Sequence, residues 1–234
     1  MTYNILGGRL TLGIVLPKNP NFNKNIGEKK VYDFLTQNID EDIVCYYNYN
    51  IGLFESDFCI MIPHRGILVI EVKSWIANNI IEVKDNSFVE YSTADEGIKH
   101  LRSPYKQAVG YTRELLKILR EKITKDIFVL PVVWYTEITR EQYYEKRLDI
   151  LSDERVTLFR EDLDLHNSSF NSKVRGLLDF AIEYYRKIPD NFDIDTMYQC
   201  RHIFETKEQI HKTYYKMGNN KGVRRRDNKK YYSI

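Results

Sequence analysis

Three charged residues stand at the ends of two short segments that are otherwise apolar. Asp57 opens the run DFCIMI at residues 57–62, whereas Glu71 and Lys73 close the run ILVIEVK at residues 67–73. Burial of an unpaired charge is strongly unfavourable, so these side chains need an ion or one another. Two carboxylates beside an ammonium group make a hard-oxygen site of the kind that takes Mg²⁺ or Mn²⁺. Such a site is suited to hydrolysis of a phosphodiester.

A bare Glu-x-Lys pair is not informative here, because the sequence contains four of them, at residues 28–30, 71–73, 82–84 and 205–207. Only the pair at 71–73 ends a strand-like run that is apolar on both faces, which is typical of a central strand. Side chains alternate along a strand, so Glu71 and Lys73 share one face. The pair Glu82–Lys84 lies in a predicted hairpin and is interpreted as part of a solvated strand.

The turn between the two runs decides which residues face each other. A three-residue loop at residues 64–66, with Gly66 in the left-handed conformation, would pair residues whose numbers sum to 130 and set Asp57 opposite Lys73. A sum of 128 would instead set Asp57 opposite Glu71. Both registers place the three side chains on one face, which a sum of 129 would not. The Val72 carbonyl is a candidate further metal ligand, and Lys73 is a candidate for deprotonating or positioning the attacking water.

The segments around these two runs predict an α/β fold. We expect a mixed central sheet between a helix at residues 27–38 and a helix that begins at Ser103-Pro104 and ends near residue 121. Further strands are predicted at residues 43–49, 127–134 and 155–159, a hairpin at 79–91, and helices at 172–187 and 195–216 that add a helical layer. Residues 92–102 are polar and are predicted to be a loop, and Pro131 indicates an edge strand or a bulge.

Length and composition exclude several classes of protein. The 234 residues with 43% hydrophobic content suit one folded domain with an appendage, or two small domains, and not a disordered chain. The N-terminal segment lacks the pattern of a signal peptide, and no stretch is apolar for long enough to span a membrane. The three cysteines have no metal-like spacing, and none of the five histidines pairs at a zinc-ligand spacing. Buried free thiols in a reducing cytoplasm are the plain interpretation.

At this point the sequence resembles a known family. The segments GEKKVYDFL, ESDFCIMIPHRGILVIEVKSW and SPYKQAVGY, in this order, are similar to the nuclease-related domain (NERD) family of the PD-(D/E)xK nuclease superfamily. The resemblance covers roughly residues 27–135. It implies a restriction-endonuclease-like fold, in which helices flank a mixed central sheet, and Mg²⁺-dependent cleavage of DNA.

The resemblance also implies roles for individual residues. Asp57 and Glu71 would be metal ligands, and Lys73 would be the catalytic lysine. Glu28 would be an accessory ligand or would orient a metal-bound water, and its alternative is an acidic residue favoured at a helix start. Gln107 would orient the lysine or a phosphate, with Tyr111 one turn further along on the same face to contact DNA. The alternatives are a structural ion pair for the first three residues, and a surface amide and a core-edge aromatic for the last two.

A basic segment lies at the end of the sequence. Net charge is +2, but residues 218–234 hold six Lys or Arg residues against one Asp, so the rest of the chain is mildly acidic. We expect a flexible tail whose Arg224, Arg225 and Arg226 hold DNA phosphates near a carboxylate site that would otherwise repel them. The alternative is a solvated terminus or a linker cut short.

These observations predict a nuclease domain at residues 1–187 with its core at 27–135, a helical extension at 188–217 and the basic tail at 218–234. The predicted function is a metal-dependent deoxyribonuclease that uses a metal-activated water. One alternative is a DNA-binding or adaptor module that cuts nothing. Another is a nuclease subunit that works with a separately encoded helicase or ATPase, since no Gly-x-x-x-x-Gly-Lys-Thr motif occurs in the chain.

Overall fold

The computed structural model of the chain describes residues 13–22, 25–51, 54–185 and 192–219, with side chains as far as residue 206 except at residue 54. In chain order, the strands and helices of this part are β1 (Ile14–Leu16), α1 (Ile26–Asn38), β2 (Val44–Ile51), β3 (Phe54–Ile62), β4 (Gly66–Lys73), β5 (Ile80–Val83), β6 (Phe88–Thr93), β7 (Gly97–Arg102), α2 (Pro104–Arg120), β8 (Val129–Tyr135), α3 (Arg140–Glu145), β9 (Thr157–Leu158), α4 (Asn167–Tyr185) and α5 (Ile194–Asn219). Short 3₁₀ turns lie between several of them.

The predicted mixed sheet is present. Its strand order is β1-β2-β3-β4-β8-β9. Strand β3 runs antiparallel to both β2 and β4, whereas β1 runs parallel to β2, and β8 runs parallel to both β4 and β9. A second, antiparallel sheet of order β5-β6-β7 is inserted between β4 and α2. The first two predicted helices and the predicted hairpin are therefore confirmed as α1, α2 and the β5–β6 pair.

The two faces of the main sheet carry separate cores. One face packs against α1 and α4, and it takes the alternate side chains of β4 from Leu68 to Val72. The other face packs against α2 and α5, and it takes Ile67 and Val69 from the same strand. The sequence predicted a single helical layer at residues 172–216, but α4 and α5 cover opposite faces, because a central sheet that is apolar on both sides needs cover on both.

The prediction of a loop at residues 92–102 is wrong. The strand β6 continues to Thr93, and β7 pairs with it from Gly97 to Arg102. Most side chains of β7 are exposed, since it is an edge strand with one solvated face. Because its residues are mostly polar, β7 has no apolar pattern by which a strand could be predicted.

The prediction for Pro131 is also corrected. Pro131 lies inside β8 in regular register with Val69 of β4, so it marks neither an edge strand nor a bulge. The Thr136 N–H donates to the Lys73 carbonyl, and strand residues alternate in direction, so the ring nitrogen of Pro131 faces the β9 side. There β9 pairs only with Val133 and Trp134, so no ladder hydrogen bond is lost.

Three smaller predictions concern the β3–β4 turn, the cysteine thiols and membrane-spanning segments. The β3–β4 hairpin has two residues with positive φ: the predicted Gly66, with φ of 144°, and also His64, with φ of 62°. A Cβ at Gly66 would lie 2.3 Å from the Phe128 carbonyl oxygen, which explains the glycine by close backbone approach. Cys45, Cys59 and Cys200 are free and buried, as predicted. None of the described helices is long and apolar enough to cross a membrane.

Candidate active site

The β3–β4 register brings the predicted carboxylates together. Paired residues run from Phe58–Ile70 to Ile62–Gly66, so their numbers sum to 128, which is one of the two predicted registers. This register sets Asp57 opposite Glu71, although the ladder itself ends at Phe58. Asp57, Glu71 and Lys73 alternate in step with Cys59 and Val69, so all three lie on the sheet face that α2 covers.

Asp57 lies where pairing is interrupted on both sides of β3. Its neighbour on β2 would be Asn48, but the β2–β3 ladder passes from Tyr47–Phe58 to Tyr49–Ser56 without that pair. Asn48 has φ of 54°, a left-handed conformation that Asn adopts more readily than most residues. On the other side, the Val72 N–H donates to Asp57 Oδ2 at 2.6 Å. The Asp57 carboxylate thus takes the place of the backbone carbonyl that would accept from Val72 in a continued β3–β4 ladder.

Glu71 and Lys73 form an ion pair at the end of β4. Glu71 is only 4% exposed, whereas Lys73 is partly exposed. Burial raises the pKa of Glu71, although the Lys73 ammonium group lowers it. Burial, followed by the charges of Glu71 and Glu28, raises the pKa of Asp57 well above its usual range. Among the described residues, this cluster has three carboxyl groups and one ammonium group, so a divalent cation would favour the charged form of all three acids.

Glu28 reaches this cluster from the helix on the other face of the sheet. The Asn25 side chain caps α1 by accepting from the Glu28 N–H at 3.3 Å, and its amide also contacts the Glu28 carboxylate. The Tyr47 hydroxyl donates to Glu28 Oε2 at 2.6 Å. Burial raises the pKa of Glu28, while Tyr47 and the Lys73 charge lower it, so the carboxylate lies within electrostatic reach of Lys73.

Close packing allows α1 to approach the strand ends. A Cβ added at Gly27 would lie 2.9 Å from the Ser74 Cβ and 3.1 Å from the Thr136 Oγ1. Ser74 and Thr136 directly follow β4 and β8, so the first turn of α1 passes over the ends of both strands. This contact explains how Glu28, which lies on a helix that covers one face of the sheet, reaches the carboxylates on the opposite face.

The helix α2 brings Tyr111 to the same place. Ser103 accepts from the Lys106 N–H at 3.3 Å and caps the helix, as predicted. Burial and the charges of Glu71 and Asp57 raise the pKa of Tyr111, whereas the Arg102 charge lowers it. Gln107 lies one turn earlier on the same side of α2 and is partly buried, and among the described residues its side chain has no hydrogen-bond partner.

The donor chemistry suits a divalent cation. Across the part of the chain that the structure describes, no group of three or more His, Cys, Asp or Glu residues is arranged around one point as metal ligands. Asp57 and Glu71 nevertheless offer carboxylate oxygens on one face. The N–H and carbonyl of a strand residue point to the same side, so the Val72 carbonyl faces β3 together with the N–H that binds Asp57. Two carboxylates and a carbonyl are a hard-oxygen set that fits Mg²⁺ or Mn²⁺.

Several contributors to the site were not predicted from the sequence. Asn25 could have been found, because Asn followed three residues later by Glu is a helix-start pattern. Tyr47, Asn48 and Arg102 have no such signal, since their roles depend on neighbours that are distant in sequence. Arg224, Arg225 and Arg226 of the predicted basic tail lie outside the described residues.

Comparison with known proteins gives one result at the level of families. Residues 23–136 match the family model described as a nuclease-related domain. The matched segment contains Glu28, Asp57, Glu71, Lys73 and Tyr111. No curated protein and no solved structure matches the chain.

Proposed function

Since residues 23–136 of this chain form a nuclease-related domain, we propose that the protein is a metal-dependent nuclease that hydrolyses phosphodiester bonds of DNA. The family supports a nuclease-type hydrolase in general terms. The observation that carries the more specific proposal is the position of Asp57, which has no ladder partner on β2 or β4 and lies on the same face as Glu71 and Lys73. A purely structural salt bridge would not require a third charge at this place.

The carboxylates of Asp57 and Glu71, with the Val72 carbonyl, would hold Mg²⁺ or Mn²⁺. When bound, the ion would supply Lewis-acid polarisation of the phosphate and a lowered pKa for the attacking water. Glu28 would orient this water or complete the ligand set, and the hydrogen bond from Tyr47 fixes the direction of its carboxylate. The excess negative charge of the cluster favours the ion and opposes binding of DNA without it.

Lys73 and Tyr111 would act on the phosphate. The Lys73 ammonium group is placed by its ion pair with Glu71 and can offset the negative charge that develops on the phosphate oxygens. Tyr111 has a raised pKa, so its hydroxyl stays protonated and can donate a hydrogen bond to a phosphate oxygen. Gln107, one turn away on the same side of α2, would make a second polar contact.

A nuclease assay on matched variants tests this proposal. The full chain is incubated with linear, circular and single-stranded DNA in Mg²⁺, Mn²⁺ or EDTA. We expect cleavage in the first two conditions and none in EDTA. The variant Glu71→Gln should lose cleavage, whereas Glu82→Gln, in the duplicated sequence Ile81-Glu82-Val83-Lys84 on an exposed strand, should retain it.

The outcome also separates the competing functions. Metal-independent DNA binding without cleavage in any condition would favour an adaptor module. Cleavage that appears only after a helicase or ATPase is added would favour a nuclease subunit. Equal activity of Glu71→Gln and the wild-type chain would overturn the proposed site.

A further inference from the structure

We propose that the outer face of the small β5-β6-β7 sheet binds an unpaired DNA strand and leads it to the candidate active site. This proposal rests on the proposed nuclease function and names the class of substrate. The surface consists of Phe88 and Arg102, at the end of the sheet that adjoins the start of α2, the helix that carries Tyr111. It is called the entry surface below.

The small sheet is fixed to the helix that carries Tyr111. Arg102 is the last residue of β7, and the next residue, Ser103, caps α2. The Ser103 N–H donates to the Ser87 carbonyl at 2.6 Å. The Lys106 ammonium group donates to Asn86 Oδ1 at 2.7 Å and to Ser87 Oγ at 2.5 Å. The start of β6 and the end of β7 are therefore held against the first turn of α2.

Phe88 and Arg102 form a cross-strand pair on the solvent side of this sheet. They are directly opposite in the β6–β7 register, so their side chains share a face. The other face buries Val89 and Tyr91 in a core with Trp75. Phe88 is 44% exposed although it is a large apolar side chain, and Arg102 is exposed as well. Its guanidinium has no ion-pair or hydrogen-bond partner among the described residues.

The pair is continuous with the candidate active site. Arg102 directly precedes Ser103, the cap of α2, and Tyr111 of α2 packs against the cluster that contains Cys59 and Val69, two residues from Asp57 and Glu71 on the same strands. Phe88, Arg102 and Tyr111 therefore form a series that ends at the carboxylates. An exposed aromatic ring can stack on a base, and an adjacent guanidinium can bind the phosphate next to that base.

The chemistry of this surface favours an unpaired strand over a duplex. A ring stacks on a base only where the base is not covered by its neighbours, as in single strands, ends and flaps. Duplex binding relies instead on many cations along the phosphate backbone. The other cation of the outer face, Lys84, is already paired with Glu90 at 2.6 Å, which leaves few charges for a duplex.

Equilibrium binding to short labelled oligonucleotides tests the proposal. The full chain is titrated in Ca²⁺, which suppresses cleavage, with a single-stranded oligodeoxynucleotide, its duplex and the matching oligoribonucleotide. Phe88→Ala should weaken binding of the single-stranded DNA about tenfold and change duplex binding less than twofold. Phe88→Tyr should retain affinity because it keeps the ring. The matched control is Ile98→Ala, since Ile98 is 61% exposed at the far end of the same outer face.

A spectroscopic signature separates stacking from a structural effect. In a Phe88→Trp variant, single-stranded DNA should quench the added indole fluorescence, and Arg102→Ala in the same background should reduce the quenching at a given DNA concentration. Wild-type affinity of Phe88→Ala for single-stranded DNA would overturn the proposal, as would an equal loss on the duplex. Tighter binding of the oligoribonucleotide would overturn the assignment to DNA.

The binding results are independent of the cleavage results. A wild-type chain that binds single-stranded DNA through Phe88 but cuts nothing in Mg²⁺ or Mn²⁺ would overturn the proposed nuclease function and support the entry surface. A wild-type chain that cuts, with no effect of Phe88→Ala on the cutting or binding of single strands, would overturn the entry surface alone.

Discussion

The Asp57 carboxylate accepts a hydrogen bond of 2.6 Å from the Val72 N–H, and it does so at the point where the β3–β4 ladder stops. One oxygen of the Asp57 carboxylate therefore accepts the hydrogen bond of a backbone N–H at the end of the ladder, and the second oxygen is available to bind a metal ion. The backbone holds this residue in place without help from a bound ion, so the site is preorganised in one of its two central carboxylates.

The first prediction contrasts two substitutions at Asp57. Asp57→Asn should abolish cleavage and weaken divalent-ion binding, yet it keeps an oxygen that can accept from the Val72 N–H. It also removes a negative charge from a cluster of carboxylates, so we expect stability in EDTA to rise by about 1 kcal/mol. Asp57→Ala removes the acceptor as well and should be less stable than Asp57→Asn by about 1–3 kcal/mol. Thermal unfolding with and without Mg²⁺ measures both effects, and a less stable Asp57→Asn would contradict the argument.

The second prediction concerns Lys73. Lys73→Ala should reduce cleavage by at least about a hundredfold, because a charge that stabilises the developing phosphorane is lost. It should not weaken Mn²⁺ binding, since the ammonium group competes with the ion for Glu71. The matched control is Lys84→Ala in the duplicated sequence, where the side chain pairs with Glu90 on the surface. Full activity of Lys73→Ala would remove the lysine from the mechanism.

The third prediction uses the close approach of α1 to the strand ends. Gly27→Ala places a Cβ 2.9 Å from the Ser74 Cβ, so the first turn of α1 must move and carry Glu28 with it. We expect cleavage to fall while circular dichroism shows a folded chain. Gly176→Ala is the control, because nothing lies within 4 Å of its added Cβ. That helical substitution should stabilise the chain by up to about 1 kcal/mol and leave cleavage unchanged.

The fourth prediction concerns the buried thiols. Burial raises the pKa of Cys59 and of Cys200 from the ordinary 9.0 to about 12. In the native chain these thiols should therefore resist alkylation by iodoacetamide at pH 8 and react only after denaturation. The unfolded chain loses these protons at lower pH than the folded chain. Their contribution to stability is thus complete below pH 9 and decreases as pH rises toward 12. Rapid native alkylation at pH 8 would contradict this burial.

The fifth prediction concerns the basic segment at residues 218–234. If Arg224, Arg225 and Arg226 contact DNA phosphates, each contact adds about 0.9 to the slope of log affinity against log salt on duplex DNA. A shortened chain that ends at Met217 should therefore bind DNA less tightly at low salt and show a flatter slope. Preference among sequences should not change, because phosphate contacts carry no sequence information. Equal slopes for the two chains in Ca²⁺ would show that the segment makes no contacts with DNA phosphates.

The sequence predicted that Asp57, Glu71 and Lys73 share one face of the sheet, because strand geometry leaves few choices. Two apolar runs joined by a short turn must pair antiparallel, and alternation then places Asp57 and Glu71 on one face for any even register. The family segment and the two helices that flank the sheet were recognisable for similar reasons, since caps and apolar spacing are local signals.

The remaining features depend on contacts between distant segments. Tyr47 holds Glu28 only because α1 lies across the ends of β4 and β8, and the sequence of Tyr47 and its neighbours contains no sign of this. The strand β7 was missed because an exposed edge strand has little apolar pattern. The left-handed Asn48, which interrupts pairing beside Asp57, became visible only in the backbone dihedral angles.

The packing of α5 against β2 has a consequence for the expression of shortened forms of this protein. Phe204 of α5 stacks on Tyr49, with 3.9 Å between the ring centroids, and the Tyr46 hydroxyl donates a hydrogen bond to Glu205 Oε1 at 3.0 Å. A polypeptide limited to the family segment at residues 23–136 would keep every proposed ligand but would expose these aromatic rings of β2 to solvent. Such a fragment should be recovered from cells as aggregates. The absence of activity in such a fragment would therefore not test the proposed function of the full chain.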